Sequence, residues 1–309
     1  MRPRVVMSVC LAIVAVVGSV LLLVPTTRAQ LAAFGTHSRA AANPGQSPSP
    51  RAKTAAQPAP PPPELRAPAD PNAVTSGTST TTFFSWAFLD LTNKTITGSA
   101  NSATGTNSTE SMVKAWIASD YLRDNPNPSP SVLNDLHLMI INSNDDIAQE
   151  YYVKDGTNAV MQRMIKMCGL TNTAIYPYWW SRTQMSPRDA VRYGDCVADG
   201  TAAGPKWTSW ILTQMREVQG SVADNSPSNV KVQGGRWGII DGLPANLVPT
   251  TSIKNGWTYY GPGWHVNCLA INPGHWVLNV MMQTDTNSLQ TAANVCAGVA
   301  RQLTYTPEI

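Results

Sequence analysis

The chemistry this sequence offers rests on a few serines and lysines. Ser111 stands three places ahead of Lys114 in STESMVKAWIASDYL, residues 108–122, where a helical pattern opens. Positions i and i+3 share a helix face, so the two side chains can meet. A serine hydroxyl is a weak nucleophile until a neighbour removes its proton. A lysine does this only where burial or nearby positive charge lowers its pKa. A helix start adds free N–H groups and a positive dipole end, which suit a developing oxyanion. The spacing alone decides nothing: Ser228 and Lys231 repeat it within a turn-forming DNSPSN context, and Ser228 is expected in a loop. Taken alone, Ser111 reads equally well as a serine of a helix cap.

The elements that must position these groups follow from periodicity and caps. Residues 82–91 and 94–100 read as two strands around Thr92-Asn93, rich in aromatic and β-branched residues. A helix follows, capped by Asn107 or Ser108, with Glu110 in its first turn and Met112, Val113, Trp116, Ile117 and Tyr121 as its apolar stripe. Helical patterns continue over about 131–142, 146–153 and 157–168, the last stopped by Gly169. Ser186 and Pro187 open another that closes at Gly200, and a further helix covers about 207–218. Strand character returns in 235–242, 252–260, 264–271 and 276–283, and a helix over about 286–303 closes the chain. Strands, a helical middle, strands and a last helix describe an α+β domain with an antiparallel sheet. Asp145 or Asp146 serves equally as a helix cap, and His265 reads as a satisfied strand residue.

Composition sets the boundaries. Residues 5–24 carry no charge and follow Arg2 and Arg4, the pattern of an export signal or a membrane anchor, with a cleavage site available near 26–29. Residues 30–76 are rich in proline and alanine and poor in large apolar side chains, so they read as an extended disordered linker. The domains are therefore 1–29 signal peptide or membrane anchor, 30–76 linker and 77–309 folded domain. A net charge of +3 with 13% charged residues and no basic stripe argues against nucleic acid as a partner. The ten tryptophans read as core and cleft lining. Cys10 falls in the leader; Cys168, Cys196, Cys268 and Cys296 are an even number in an exported domain and imply two disulfides. Of three formal pairings, the order of elements favours Cys168 with Cys196 and Cys268 with Cys296. No cysteine or histidine spacing matches a metal motif, so no metal and no cofactor is expected.

Ser111-Met112-Val113-Lys114, Ser143-Asn144-Asp145 and Lys254-Asn255-Gly256 occur in the order of the S-x-x-K, S-D-N and K-T-G motifs. Over about residues 80–305 the chain resembles the serine hydrolase superfamily of class A β-lactamases and penicillin-binding D,D-peptidases. LMIINSNDDIAQEYY, GLTNTAIYP and MSPRDAVRY are similar to its helical lobe, and GRWGIIDGLP before IKNGW to its sheet lobe. The resemblance implies a β-lactamase/transpeptidase-like fold, in which N- and C-terminal segments form the antiparallel sheet lobe and an all-helical lobe is inserted between them. It implies Ser111 as nucleophile, Lys114 as its base, Ser143 as proton relay and Lys254 as a positive charge facing Ser143 and a substrate carboxylate. Asp145, Asn255, Gly256 and Trp257 would form the substrate-binding and oxyanion region, with the Trp257 N–H as second oxyanion donor. The implied partner is a β-lactam or a peptidoglycan-type peptide, bound by a monomer that is secreted or held to the membrane by residues 5–24.

Two departures bear on turnover. The middle motif ends in Asp145 where the family has asparagine, and an ionised carboxylate cannot donate to a substrate carbonyl. No glutamate occurs between Glu150 and Glu217, so the loop base that activates deacylating water in class A enzymes is missing, and a slowly released acyl-enzyme is expected. The alternative is a weak or inactive envelope-binding module that keeps the fold; a weak true β-lactamase is a third reading.

Overall fold

The computed structural model describes residues 64–225 and 233–306. In chain order they form strands β1 (Glu64–Arg66), β2 (Thr81–Asp90), β3 (Thr95–Gly98) and β4 (Asn107–Ser108), then a 3-10 turn at Glu110–Val113. Helices α1 (Lys114–Asp124), α2 (Pro130–Ile141), α3 (Asp145–Lys154) and α4 (Asn158–Met167) follow. Two short strands, β5 (Thr173–Ala174) and β6 (Gln184–Met185), precede α5 (Pro187–Ala198) and α6 (Thr208–Arg216). The chain continues through α7 (Ile239–Gly242), β7 (Ser252–Ile253), β8 (Gly256–Tyr260), β9 (Gly263–Asn272), β10 (Trp276–Thr284), α8 (Leu289–Gln302) and β11 (Thr304–Thr306).

The main sheet is antiparallel, ordered β3-β2-β10-β9, with β7 and β8 both pairing the far edge of β9. The strand from the start of the domain thus lies among those from its end, with the helices inserted between. β2 is an inner strand covered on both faces, which accounts for its unbroken buried run Trp86-Ala87-Phe88-Leu89. α5 packs onto the sheet at Gly194, where a Cβ would come within 2.5 Å of Val277 Cγ1. Only glycine permits that approach. α8 lies against β9 and β10 with Cys268 of β9 bonded to Cys296, while Cys168 after α4 is bonded to Cys196 of α5.

α1 runs through the middle of the helical part with Trp116, Ile117, Ala118 and Leu122 fully buried. Removing such side chains from water contributes about 1.5–3 kcal/mol each. The Trp116 indole donates to the Val160 carbonyl at 2.8 Å, as a buried N–H must find an acceptor. Fully buried Asp120 is paired with both Arg123 and Arg163. The caps are local: Ser129, Asn144, Ser186 and Ser288 each accept from a backbone N–H in the first turn of α2, α3, α5 and α8.

Three expectations are corrected. The linker expected over 30–76 enters the fold before its end: β1 pairs with β11, and Leu65 and Val74 are buried. Short, sparse apolar residues found partners far along the chain, which local composition does not register. The strand expected over 235–242 is the helical turn α7. Gly238 at φ +87° opens it, the Asp241 side chain accepts from the Gly238 N–H, and Gly242 fits where a Cβ would lie 2.1 Å from the Ala297 carbonyl oxygen. The strand expected over 252–260 is interrupted at Lys254-Asn255. The expected leader, most of the linker, and Ser228 with Lys231 lie outside the described residues. Among the described residues no helix is long and apolar enough to cross a membrane.

The Cys268–Cys296 bond closes a separation of 28 residues. Chain-entropy arguments give such a cross-link about 3.6 kcal/mol. Paired Cys268→Ser and Cys296→Ser substitution is expected to lower the free energy of unfolding by about that amount, measured by urea denaturation.

Candidate active site

The turn that carries Ser111 is tied down on both sides. Asn107 donates from Nδ2 to the carbonyls of Val266 at 3.2 Å and Met282 at 3.1 Å, and Asn267 Nδ2 donates to the Ser108 carbonyl. The Thr109 N–H donates to the Thr183 carbonyl at 2.8 Å. These buried amides bind the segment before Ser111 to the sheet and to the 169–186 loop. Asn107 and Ser108 therefore form a strand instead of capping α1, and Ser111 sits in the 3-10 turn ahead of the α-helix. β8 passes directly over this turn. A Cβ on Gly256 would stand 2.9 Å from the Ser111 nitrogen, 2.7 Å from that of Met112 and 2.4 Å from the Thr109 carbonyl oxygen.

Behind the turn lie two lysines with no exposed surface. Lys114 Nζ donates to the Ser143 carbonyl at 2.5 Å, to Asp145 Oδ1 at 2.6 Å and to Ser143 Oγ at 3.3 Å. Lys254 Nζ donates to the same Ser143 Oγ at 2.9 Å and to the Asn255 carbonyl at 3.2 Å. Ser143 reaches both because it is buried at φ +56°, a strained non-glycine conformation of the kind found at functional sites. Burial pushes the Lys114 pKa down, with the Asp145 carboxylate opposing that shift. Lys254 is pushed well below the ordinary 10.5, first by burial and then by the Lys114 charge beside it. A chain of two lysines sharing one hydroxyl can hold and pass a proton.

Ser111 is 9% exposed and opens into a cavity of about 390 Å³. Among the described residues its hydroxyl makes no hydrogen bond, and Lys114 is directed at Ser143 and Asp145 instead. The cavity wall includes Trp257 and Thr258 of β8, Asp145, Asp146 and Gln149 of α3, and Trp179, Trp180 and Ser181 of the loop. Trp180 is buried, its indole donating to Gln149 Oε1 at 3.1 Å, so the loop face towards Ser111 is aromatic and carries no carboxylate. Asn255 is turned into the fold, donating to the carbonyls of Gly235 at 3.0 Å and Trp237 at 2.7 Å. Trp257 packs edgewise on Trp237, and its indole donates to Asn225 Oδ1 at 2.9 Å.

The structure thus brings Ser111, Lys114, Ser143, Asp145, Lys254, Gly256 and Trp257 together, and leaves the Asn255 side chain facing away. Asn144, not Asp145 or Asp146, caps α3. His265 packs against Tyr260 and bonds Asn107 Oδ1 through Nδ1 at 3.0 Å, a structural contact. Glu110 was missed as a site residue. It is buried at φ +49°, lines the cavity and accepts from the Tyr260 hydroxyl at 3.2 Å; burial raises its pKa, with the Arg182 charge among the influences opposing it. A glutamate beside a candidate nucleophile was the available signal, but its spacing also fits an ordinary first turn of a helix.

No family model matches the chain. By structure it is similar to a β-lactamase from Xanthomonas campestris, with TM-score 0.56 and 14% identity over 74% of this chain and 93% of that one. It is also similar to PBP-A, with TM-score 0.54 and 15% identity over 75% and 91%; a PBP-A variant has been solved as an acyl-enzyme complex with penicillin G. The fold is therefore β-lactamase-like, the one shared by these two structures. By sequence the chain is 30% identical over 173 residues to LppW, a protein of Mycobacterium tuberculosis and Mycobacterium bovis assigned as a lipoprotein. It spans about half the length of these curated relatives, the match covering 53% of this chain and 52% of theirs.

The Lys114 environment gives a direct check. Asp145 favours the ammonium form, so Asp145→Asn removes the one carboxylate bonded to it and should move the Lys114 titration to lower pH. Lysine-selective NMR titration of both proteins reads this; an unchanged or higher midpoint would show that the pair does not set the charge.

Proposed function

We propose that this chain is an exported or membrane-tethered serine acyl-transferring hydrolase that forms an acyl-Ser111 intermediate with a β-lactam or a peptidoglycan-type peptide and releases it slowly. The observation that carries this reading is the Ser111 hydroxyl, without a hydrogen bond among the described residues, in the wall of a cavity, backed by the Lys114–Ser143–Lys254 chain. Neutral Lys114 takes the serine proton as Ser111 Oγ attacks the carbonyl. The N–H groups of Ser111 and Trp257 receive the oxyanion, where the bare Gly256 lets strand and turn close together. Ser143, fed by Lys254, returns a proton to the leaving nitrogen. The Asp145 ion pair holds Lys114 towards its charged form, so acylation accelerates as pH rises and Lys114 is deprotonated.

Deacylation needs a base for water. The loop face over Ser111 presents Trp179 and Trp180 and no carboxylate, and the carboxyl groups of the cavity, Glu110, Asp145 and Asp146, lie on its other walls; the missing loop base supports slow release. Two disulfides and the lipoprotein assignment of LppW support a location outside the cytoplasm. The Asp145–Lys114 pair favours a second reading as well, a binding module of the cell envelope that retains the fold without turnover.

Intact-mass measurement after incubation with penicillins and cephalosporins separates the two. Acyl transfer gives a stoichiometric adduct on the native chain, none on Ser111→Ala, and persistence over many minutes after excess drug is removed. Absence of any Ser111-dependent adduct, with wall-fragment binding retained in Ser111→Ala, would leave only the binding module.

A further inference from the structure

The turn that carries Ser111 also carries a carboxyl group that acylation does not use. Glu110 immediately precedes the nucleophile, is buried, and lines the same cavity. Its φ of +49° takes it off the course of an ordinary first helical turn, and a non-glycine residue persists in that conformation only where its surroundings hold it there. The other carboxyl groups of the cavity wall stand on α3: Asp145 is bonded to Lys114 at 2.6 Å, and Asp146 is exposed. Of the three, Glu110 alone is withdrawn from water and next to the residue that would be acylated.

Its surroundings leave a place for water. The Tyr260 hydroxyl donates to Glu110 Oε1 at 3.2 Å, and the hydroxyls of Ser108 and Thr258 are close enough to favour the charged carboxylate. Yet Ser108 Oγ, which is buried, makes no hydrogen bond among the described residues. Buried hydroxyls are ordinarily satisfied by protein or by an ordered water. A water between Ser108 Oγ and the Glu110 carboxylate would satisfy both, on the β8 side of Ser111 and away from the tryptophans of the loop. We infer that Glu110 is the catalytic base of deacylation, drawing water onto the acyl-Ser111 carbonyl from the β8 side; this rests on the acyl-transfer reading.

The carboxylate takes one proton as the water oxygen bonds to the acyl carbon and the carbonyl electrons pass to an oxyanion held by the N–H groups of Ser111 and Trp257. As the oxyanion collapses, the bond from the acyl carbon to Ser111 Oγ breaks and Glu110 returns the proton to Oγ. A carboxylic acid leaves, and both side chains are restored. Release stays slow because the Tyr260 hydroxyl and the nearby Arg182 charge favour the ionised carboxylate and so weaken it as a base.

The test starts from the adduct that penicillin G leaves on Ser111, with excess drug removed, and follows its loss by intact mass. Glu110→Gly removes the carboxyl, and glycine accepts the positive φ, so the turn keeps its shape. Release is expected to slow about a hundredfold in this variant, more than acylation does, and added formate to restore it about tenfold. Native release should rise with pH to a plateau, because the base is the ionised form, with its inflection above the ordinary 4.5 because burial raises the carboxyl. The titratable and charged groups facing Glu110 are Tyr260, Arg182, Lys114 and, against the Tyr260 ring, His265, so the inflection is assigned by its disappearance in Glu110→Gly. A release rate unchanged by Glu110→Gly, a loss that formate does not repair, or a native adduct that is never released overturns Glu110 as the base. Absence of any adduct on the native protein overturns instead the acyl-transfer reading beneath it.

Discussion

The whole site depends on burying two lysines side by side. Isolated ammonium groups in a protein interior are costly, and two within reach of one hydroxyl repel each other as well. The fold tolerates this through a small set of acceptors: the Ser143 carbonyl and hydroxyl, the Asn255 carbonyl and the Asp145 carboxylate. Everything around them follows that need. Ser143 accepts a positive φ to bring its carbonyl and hydroxyl inward, α3 begins where Asp145 can answer Lys114, and the strand breaks at Lys254-Asn255 so that the ammonium can reach Ser143. Because Asp145 is half exposed while Lys114 is buried, the pair joins the interior directly to the cavity, and a bound ligand would be felt by the lysine.

Charge balance also separates this site from one built on an amide at the same place. An asparagine there would leave Lys114 with neutral acceptors and a strong tendency to lose its proton. The aspartate opposes that loss, against the burial that favours it.

Much of this was legible in the sequence because it rests on local spacing. Serine and lysine one helical turn apart, prolines and serines at helix starts, and glycines at helix ends are read within a few residues. The order of the three motifs then placed them in one fold. What escaped notice depends on the tertiary structure. Glu110 turns inward because its backbone takes a positive φ under β8, which no propensity reports. Asn255 faces away because the carbonyls of Gly235 and Trp237 come within reach only after α7 has formed. The apolar run at 239–240 has β-branched residues but becomes helical because Gly238 and Asp241 cap it and α8 leaves space only for Gly242. Leu65 looked like an isolated residue in a polar tract because its strand partner, Tyr305, lies at the other end of the chain.

The pairing of β1 with β11 has a mechanical side. Glu64 stands opposite Thr306 and Arg66 opposite Thr304, so the rungs lie one behind another along the direction in which the chain enters. Tension on the segment ahead of Glu64 would load them together when directed along the strand, and would open them one by one, at low force, when directed across it. The long ladders of β2, β10 and β9 lie behind that short ribbon in the chain and would take up load only after it had opened.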